Sequence, residues 1–475
     1  QRCCMIAFSS QHDFLFKAIG KEADDLNLPC YVVGGWVRDQ LLKRPNSKDI
    51  DFVVVGDALD VAKRCSKTLG GSKVTLFKKF GTAQFRWKDW DIEFVQARTE
   101  SYTSDSRNPA VAPGTLRDDQ LRRDFTINAM AMGVNQDNFG QLLDPFDGQS
   151  DLKKGIIRTP LNPQETFDDD PLRMMRAVRF ASQLGFTIDD QTLKGIQGKA
   201  NRMAILSSDR IHVELNKIME SKVPSVGLTW MHKGGLMPHV LPEIAALEGV
   251  DEVDGHLHKD NFWHSLEVLD NLARVSDKLW HRWAALLHDI GKPVTKRFKK
   301  GSGWTFHGHE FIGGKMAKKL FRRLSMPMDA RMKYVVKLIQ MSSRPIAVIA
   351  EEVTDGAVRR LLFDAGDDID DLMQLCEADI TTKNGKRKQR YLKNFNTVRS
   401  KIKAVEAKDK LRNWQPPVNG NQLMQWFDLP PGKAIGDLKT AIREGILDGD
   451  IANDFDDAKA FAFQWAKNKG YPLKP

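Results

Sequence analysis

The sequence predicts an α+β chain: a head built on a mixed sheet, followed by a long helical remainder. Three observations point there. Residues 30–150 alternate strand-like runs (YVVGG, IDFVVV, AQFRW, DIEFVQA) with helical segments. From Asp169 onward the strand signal fades, and periodic helical stretches run to the end. At 475 residues the chain is also too long for one hydrophobic core, so three or four domains are expected.

Composition narrows the class. The apolar and charged fractions, 41% and 28%, are those of a globular protein. No run approaches the roughly 18 apolar residues needed to span a bilayer. The opening QRCCMIAFSS has no sustained apolar stretch and does not read as a signal peptide; because it begins with Gln, the true start is expected to be missing or altered. Five cysteines (3, 4, 30, 65 and 376) show no metal-ligand spacing, which fits free thiols in a cytoplasmic protein. A net charge of +10 favours a polyanionic partner.

The head's most informative segment is YVVGGWVRDQLLKRPNSKDIDFVVVG, residues 31–56. A strand-like YVV meets the pair Gly34–Gly35, and Asp49 and Asp51 sit as D-x-D in a second strand-like run. Side chains alternate along a strand, so both aspartates point to one side. Two carboxylates on one face, beside glycines that let backbone N–H groups approach phosphate, suit a Mg²⁺-nucleotide site. The plainer alternative is a glycine turn beside a solvated strand edge; the Gly pair followed by Arg38 and Asp39 favours function. Arg38 is placed to meet a triphosphate, or to form a helix-start salt bridge with Asp39. Glu93, in DIEFVQAR, is the candidate third carboxylate; Asp91 lies on the same face and is its rival.

Further along, RTESYTSDSR (98–107) reads as a polar surface loop. RRDFTINAMAM (122–132) reads as a helix, with Asp124 and Asn128 on one face and Phe125, Ala129 and Met132 as the buried stripe. In DDPLRMMRAVRF (169–180), Asp170–Pro171 is a good N-cap and N1 pair. The helix it opens carries Met174, Ala177, Val178, Ala181 and Leu184 at core spacing. KNGKRKQRYLKN (383–394) is a basic run, either a solvated helix face or an RNA contact. NWQPPVNGNQ (413–422) is a Pro/Gly/Asn break before a short helical tail.

Together with DPFDGQSDLKKGIIRT (144–159), these motifs and their order resemble the nucleotidyltransferase superfamily, in its bacterial branch of CCA-adding enzymes and poly(A) polymerases. The resemblance covers roughly residues 30–385. It implies a polymerase-β-like nucleotidyltransferase head at 12–154, a helical neck for base reading and tRNA binding at 155–247, an HD domain at 248–385 and a helical tail at 386–475. It implies that Gly34, Gly35, Arg38, Arg123, Asp124 and Asn128 contact the nucleotide, with the last three on sugar and triphosphate. Asp170 and Arg173 would pair with the base edge in place of a template, since a carboxylate and an Arg fork match the donor/acceptor pattern of cytosine or adenine. Asp169 stands where the family usually has Glu. Arg176 and Arg179 would contact triphosphate or tRNA. Arg98, Glu100 and Arg107 match a mobile element that helps the site switch from CTP to ATP.

The second module resembles an HD phosphohydrolase domain, with His264, His288, Asp289 and Asp379 in the order of that family's metal ligands. His309 matches a further family histidine, and His307 is incidental. Met341 stands where the family often has another His; methionine is a poor ligand for hard cations, so one metal rather than two is expected, with Ni²⁺, Mn²⁺ or Co²⁺ as the candidate ion. The resemblance thus implies CCA addition to tRNA from CTP and ATP with Mg²⁺ on Asp49 and Asp51. The alternatives are a poly(A) polymerase or a partial (A- or CC-adding) enzyme, a metal-dependent phosphohydrolase on RNA ends or nucleotides, or an inactive RNA-binding protein.

Overall fold

The structure is a computed structural model that describes residues 8–45, 48–103, 106–253, 256–257, 260–301, 303–350, 354–382, 384–409 and 415–471. The chain divides into two compact units, residues 1–245 and 246–475.

The first unit is built on a seven-stranded sheet. Its strands are β1 (Cys30–Val33), β2 (Asp49–Val54), β3 (Thr75–Phe77), β4 (Thr82–Trp87), β5 (Trp90–Gln96), β8 (Ala131–Gly133) and β9 (Leu142–Leu143), in the order β3-β4-β5-β2-β1-β8-β9. Only β2 and β5 run parallel, so the sheet is mixed. Strand alternation explains the core. On β2, Ile50, Phe52 and Val54 are fully buried, which turns Asp49 and Asp51 to the other face. Helices α1 (Ser10–Asp24), α2 (Gly35–Leu41), α3 (Ala58–Leu69) and α4 (Leu116–Leu121) complete the head. Aromatics fill the space under α1: Phe16 packs against Trp36 at 4.8 Å and Phe52 at 5.8 Å, and Phe52 stacks on Phe94 at 5.1 Å. At Gly20 the helix approaches the strand end so closely that a Cβ would fall 1.9 Å from the Val134 carbonyl oxygen.

Two local expectations are corrected. Residues 122–132 are not a helix: α4 ends at Leu121, Thr126–Asn128 forms one 3₁₀ turn, and Ala131–Gly133 is strand β8. The reason is burial on all sides. Phe125, Ile127, Ala129, Met130, Ala131 and Met132 are all buried, so the helical stripe was one reading of a run that is apolar throughout. The 98–107 stretch is not a loop but most of a hairpin, β6 (Arg98–Thr103) paired with β7 (Ser106–Pro113). The side chains of Glu100 and Arg107 lie outside the described residues.

Helices α5 (Gly148–Lys154), α6 (Pro163–Asp169), α7 (Leu172–Leu184), α8 (Asp190–Lys199), α9 (Ser208–Met219) and α10 (Pro224–Lys233) follow in the same unit. On α7, Met174, Ala177, Val178 and Ala181 are fully buried, as their spacing predicts, while Leu184 is half-buried. Among its described residues the second unit is helical apart from two short hairpins, Glu252–Val253 with His256–Leu257 and Arg297–Lys299 with Gly303–Thr305. After the long helix Gly385–Asp409, three helices close a separate core around Leu423, Phe427, Leu438, Ile442 and Ala462.

Phe16→Ala should remove about 3–5 kcal/mol from the first unit. The expected result is faster deuterium exchange in β1 and β2; unchanged exchange there would mean that α1 does not hold the sheet.

Candidate functional site

A cleft of about 570 Å³ lies within the first unit, lined by residues from the head and from helices α7 and α9. Its floor is set by three strands. Val33, the last residue of β1, pairs opposite Asp51, and Asp51 and Asp49 pair with Glu93 and Asp91 of β5. All four carboxylates therefore face one side. Asp49 and Asp51 line the cleft, whereas Glu93 and Asp91 stand beside them outside its lining. Burial raises the Asp51 carboxyl, with Arg123 opposing and Asp49 adding to the rise. Glu93 is raised by burial and then by Asp51 and Asp49. Crowded, partly buried carboxylates that repel one another are a donor set that fits a divalent cation.

The glycine pair makes the close approach possible. Gly34 has φ +72°, and a Cβ there would sit 3.1 Å from Arg123 Nη1 and 3.7 Å from Asp51 Oδ2. Helix α2 begins at the next residue. Arg38 on α2 forks onto Asp39 through Nε and Nη2, both at 2.9 Å, and donates through Nη1 to Asn128 Oδ1 at 2.8 Å. Arg38 is thus salt-bridged to Asp39 and also lines the cleft.

Beneath the arginines lie buried carboxylates. Asp124 accepts from Phe125 N at 2.9 Å, Asn128 Nδ2 at 3.0 Å and Arg176 Nε at 2.6 Å. Burial alone would raise its pKa; Arg176 and Asn128 overcome that and hold it at about 2. Asp119, fully buried on α4, receives Arg123 Nε at 2.9 Å and also pairs with Arg122. Glu214 on α9 pairs with Arg179 at 3.2 Å. Burial brings the Arg179 guanidinium down to about 10 even against Glu214.

The DDPLR segment is held equally firmly. Asp170 Oδ1 accepts from the Leu172 amide at 3.1 Å, and Oδ2 accepts from Arg210 of α9 at 3.1 Å. Helix α7 starts at Leu172, one residue later than an Asp170 N-cap would place it. Arg173 donates to the carbonyls of Thr166 at 3.3 Å and Arg122 at 2.6 Å. A guanidinium has five N–H donors and an ionised carboxylate about four lone-pair sites, so both side chains keep capacity for a ligand.

In the second unit, His264, His288 and Asp379 bring ligand atoms within 4.8 Å of one another. His264 Nε2 lies 2.8 Å from Asp379 Oδ1 and 3.6 Å from Asp289 Oδ2. His288 Nδ1 bonds the Ala285 carbonyl at 2.8 Å, which aims Nε2 at the carboxylates. That Nε2 is buried with no hydrogen bond of acceptable geometry, at 3.3 Å from Asp289 and 3.7 Å from Asp379. Burial would lower the His288 imidazole, but Asp289 and Asp379 raise it to about 10. An unbonded imidazole nitrogen between two carboxylates fits a divalent metal. His309 Nε2 stands 3.5 Å from the other Asp289 oxygen, Oδ1. Met341 is buried.

Residues 30–158 match the poly A polymerase head domain, 185–247 the probable RNA and SrmB-binding site of polymerase A, and 261–381 the HD domain. The multifunctional CCA protein of Laribacter hongkongensis is 33% identical over 375 residues, covering 76% of this chain and 87% of that protein. The chain belongs to the CCA-adding enzyme and poly(A) polymerase family. The A-adding tRNA nucleotidyltransferase of Deinococcus radiodurans is 28% identical over 445 residues, 92% of this chain and 95% of that protein. The Bacillus stearothermophilus CCA-adding enzyme in complex with CTP shares the fold, with a TM-score of 0.68 at 22% identity over 98% of this chain and 99% of that one.

Sequence reasoning missed Arg122, Arg210 and Lys217, which line the cleft, and Asp119 and Glu214, the buried carboxylates that pair with its arginines. Asp119 had a local signal: it lies three and four residues before Arg122 and Arg123, a spacing that lets it pair with both. Arg210, Glu214 and Lys217 share one face of α9; Arg210 and Lys217 reach the cleft, and Glu214 its Arg179, only through tertiary packing. No ion pair joins Lys217 to a described residue.

Asp124 carries a pH consequence. Its folded pKa of about 2 lies below the unfolded value, so its contribution is complete above about pH 4 and is lost as pH falls toward 2. Asp124→Asn should cost at least about 2 kcal/mol at neutral pH and flatten that acid limb in urea unfolding measured across pH; an unchanged limb would show that another group controls it.

Proposed function

We propose that this protein adds CCA to the 3′ ends of tRNA from CTP and ATP, without a nucleic-acid template. The observation that carries the reading is the pairing of the D-x-D edge with a cleft whose arginines are each held before a ligand arrives. The tRNA 3′-hydroxyl attacks the α-phosphate: its O–H bond breaks with the proton passing to solvent, an O3′–P bond forms, the P–O bond to the β-phosphate breaks, and pyrophosphate leaves. Asp49 and Asp51, with Glu93 beside them, would hold Mg²⁺, which supplies charge stabilisation for the phosphoryl oxygens. Arg123 and Arg38 meet the triphosphate; Asp124 and Asn128 fix the sugar, while Asp124 keeps Arg176 in place and Asn128 keeps Arg38. Asp170 and Arg173 read the base edge, and the backbone and Arg210 contacts stop them from swinging to fit guanine or uracil.

The layout that goes with this reading is a head at 12–154, a neck at 155–247, an HD domain at 248–385 and a tail at 386–475. No described helix is long and apolar enough to cross a membrane, and we assign the protein to the cytoplasm. The HD site would take Ni²⁺, Mn²⁺ or Co²⁺ on His264, His288, Asp289 and Asp379 and act as a phosphohydrolase separable from nucleotide addition. A second reading, addition of the terminal A alone, is favoured by the near-full-length alignment with the D. radiodurans A-adding protein.

One experiment separates these. Incubated with tRNA lacking its 3′ end, the protein should extend it by two nucleotides with CTP and by three with CTP and ATP; extension only of tRNA already ending in CC, and only by ATP, would establish the second reading. Asp51→Asn should lower addition by at least about a hundredfold, because a lost metal ligand removes several kcal/mol of transition-state stabilisation. Near-normal addition by the folded variant would remove the metal role.

His288→Ala should abolish any metal-dependent phosphohydrolase activity and leave CCA addition near wild type. Loss of addition in a folded variant would mean that the two activities are coupled.

A further inference from the structure

The helix Gly385–Asp409 carries nine Lys and Arg against two acidic residues, a net of +7, so most of the chain's +10 lies in 25 residues. Between Asp379 and Glu406 the sequence has no acidic residue. The two halves of the helix differ. Toward its C-terminal end, Phe395, Val398, Ile402 and Val405 are buried at helical spacing, and two of the cations there are paired, Arg399 with Glu377 and Lys401 with Asp355. Toward its N-terminal end, Lys386, Lys388, Arg390 and Lys393 are exposed, and no ion pair joins them to a described residue.

Local energetics do not explain that arrangement. Lys386 and Arg390 are four residues apart, and Arg390 and Lys393 three apart, so like charges face one another. Cations in the first turns also oppose the helix dipole. Each term costs a few tenths of a kcal/mol, and together they disfavour the helix exactly where fold packing supports it least. A polyanion reverses both terms. The stripe Lys386–Arg390–Lys393 extends about 10 Å along the helix axis, a span that matches neighbouring phosphates on one strand.

We propose that this stripe binds the phosphate backbone of RNA; the identification of that RNA as tRNA rests on the function proposed above. RNA is favoured over an anionic membrane because the helix has no free apolar face to insert: its apolar residues are committed to the fold, and Leu392 is the large apolar side chain left exposed, at 38%, among the described residues of the helix. Arg390 also lies 5.9 Å from the Tyr391 ring, an Arg–aromatic pair of the kind that accepts a stacked base.

The test compares full-length wild type with a variant carrying Lys386→Gln, Lys388→Gln, Arg390→Gln and Lys393→Gln. A control carries Lys433→Gln, Lys439→Gln, Lys459→Gln and Lys467→Gln, the same change in net charge dispersed over the tail. Equilibrium binding to unprocessed tRNA is measured across salt, apart from nucleotide addition. The stripe variant should bind about tenfold or more weakly near physiological salt, and its log–log salt slope should be shallower by about 2–3, since each lost phosphate contact removes about 0.7–0.9. In steady state its KM for tRNA should rise while the KM for CTP stays at the wild-type value. An unchanged slope, or an equal loss in the control, would overturn the proposal. So would a variant that keeps tRNA affinity but loses binding to phosphatidylserine vesicles. If wild type adds no nucleotide yet binds tRNA through this stripe, the function reading fails and this inference stands.

Discussion

Asp124 sits where three demands meet. Its carboxylate takes a bond from its own neighbouring amide, one from Asn128 and one from Arg176 on a helix more than forty residues away. Buried as it is, it would be a liability without those donors. With them, it fixes the turn at Thr126–Asn128 and sets the position of a cleft arginine in one stroke. Asp119 repeats the device under Arg122 and Arg123, and Glu214 under Arg179. The cleft is thus a layer of guanidinium groups resting on a layer of carboxylates, and its preorganisation follows from the cost of leaving either layer unpaired.

The same chemistry produces the opposite result at the D-x-D edge. Asp119 and Asp124 are held below the usual carboxylate range because cations bond them directly. Asp51 and Glu93 are pushed up because burial and neighbouring carboxylates, Asp49 and Asp119 for Asp51 and Asp51 and Asp49 for Glu93, outweigh what Arg123 and Arg98 give back. One set of carboxylates is already satisfied and serves as scaffold. The other is short of positive charge, and that shortage is its chemical capacity.

Much of this was legible in the sequence because it rests on local period and spacing. The alternation of IDFVVV put Asp49 and Asp51 on one face, and the structure pairs them in register with Asp91 and Glu93. The core spacing on α7 was equally plain. The 122–132 segment misled because a run that is apolar on every side satisfies a helical stripe and a strand alike; what decides it is that β1 needs a partner on its far edge, and β8 supplies it. Arg210, Glu214 and Lys217 were invisible for a different reason. Nothing near them in the chain marks a site, and their role comes from α9 packing beside α7.

The strand order carries a consequence for how the chain acquires its shape. Strand β1 lies between β2, which follows it closely, and β8, which arrives about a hundred residues later. During synthesis the D-x-D strand can pair with β1 and β5 early, but the far side of β1 stays an open edge until residues 131–143 emerge. An unpaired edge is where a nascent chain captures the wrong strand. The Arg123–Asp124 segment lies a few residues before β8, so these two cleft residues reach their places in the same event that closes the sheet.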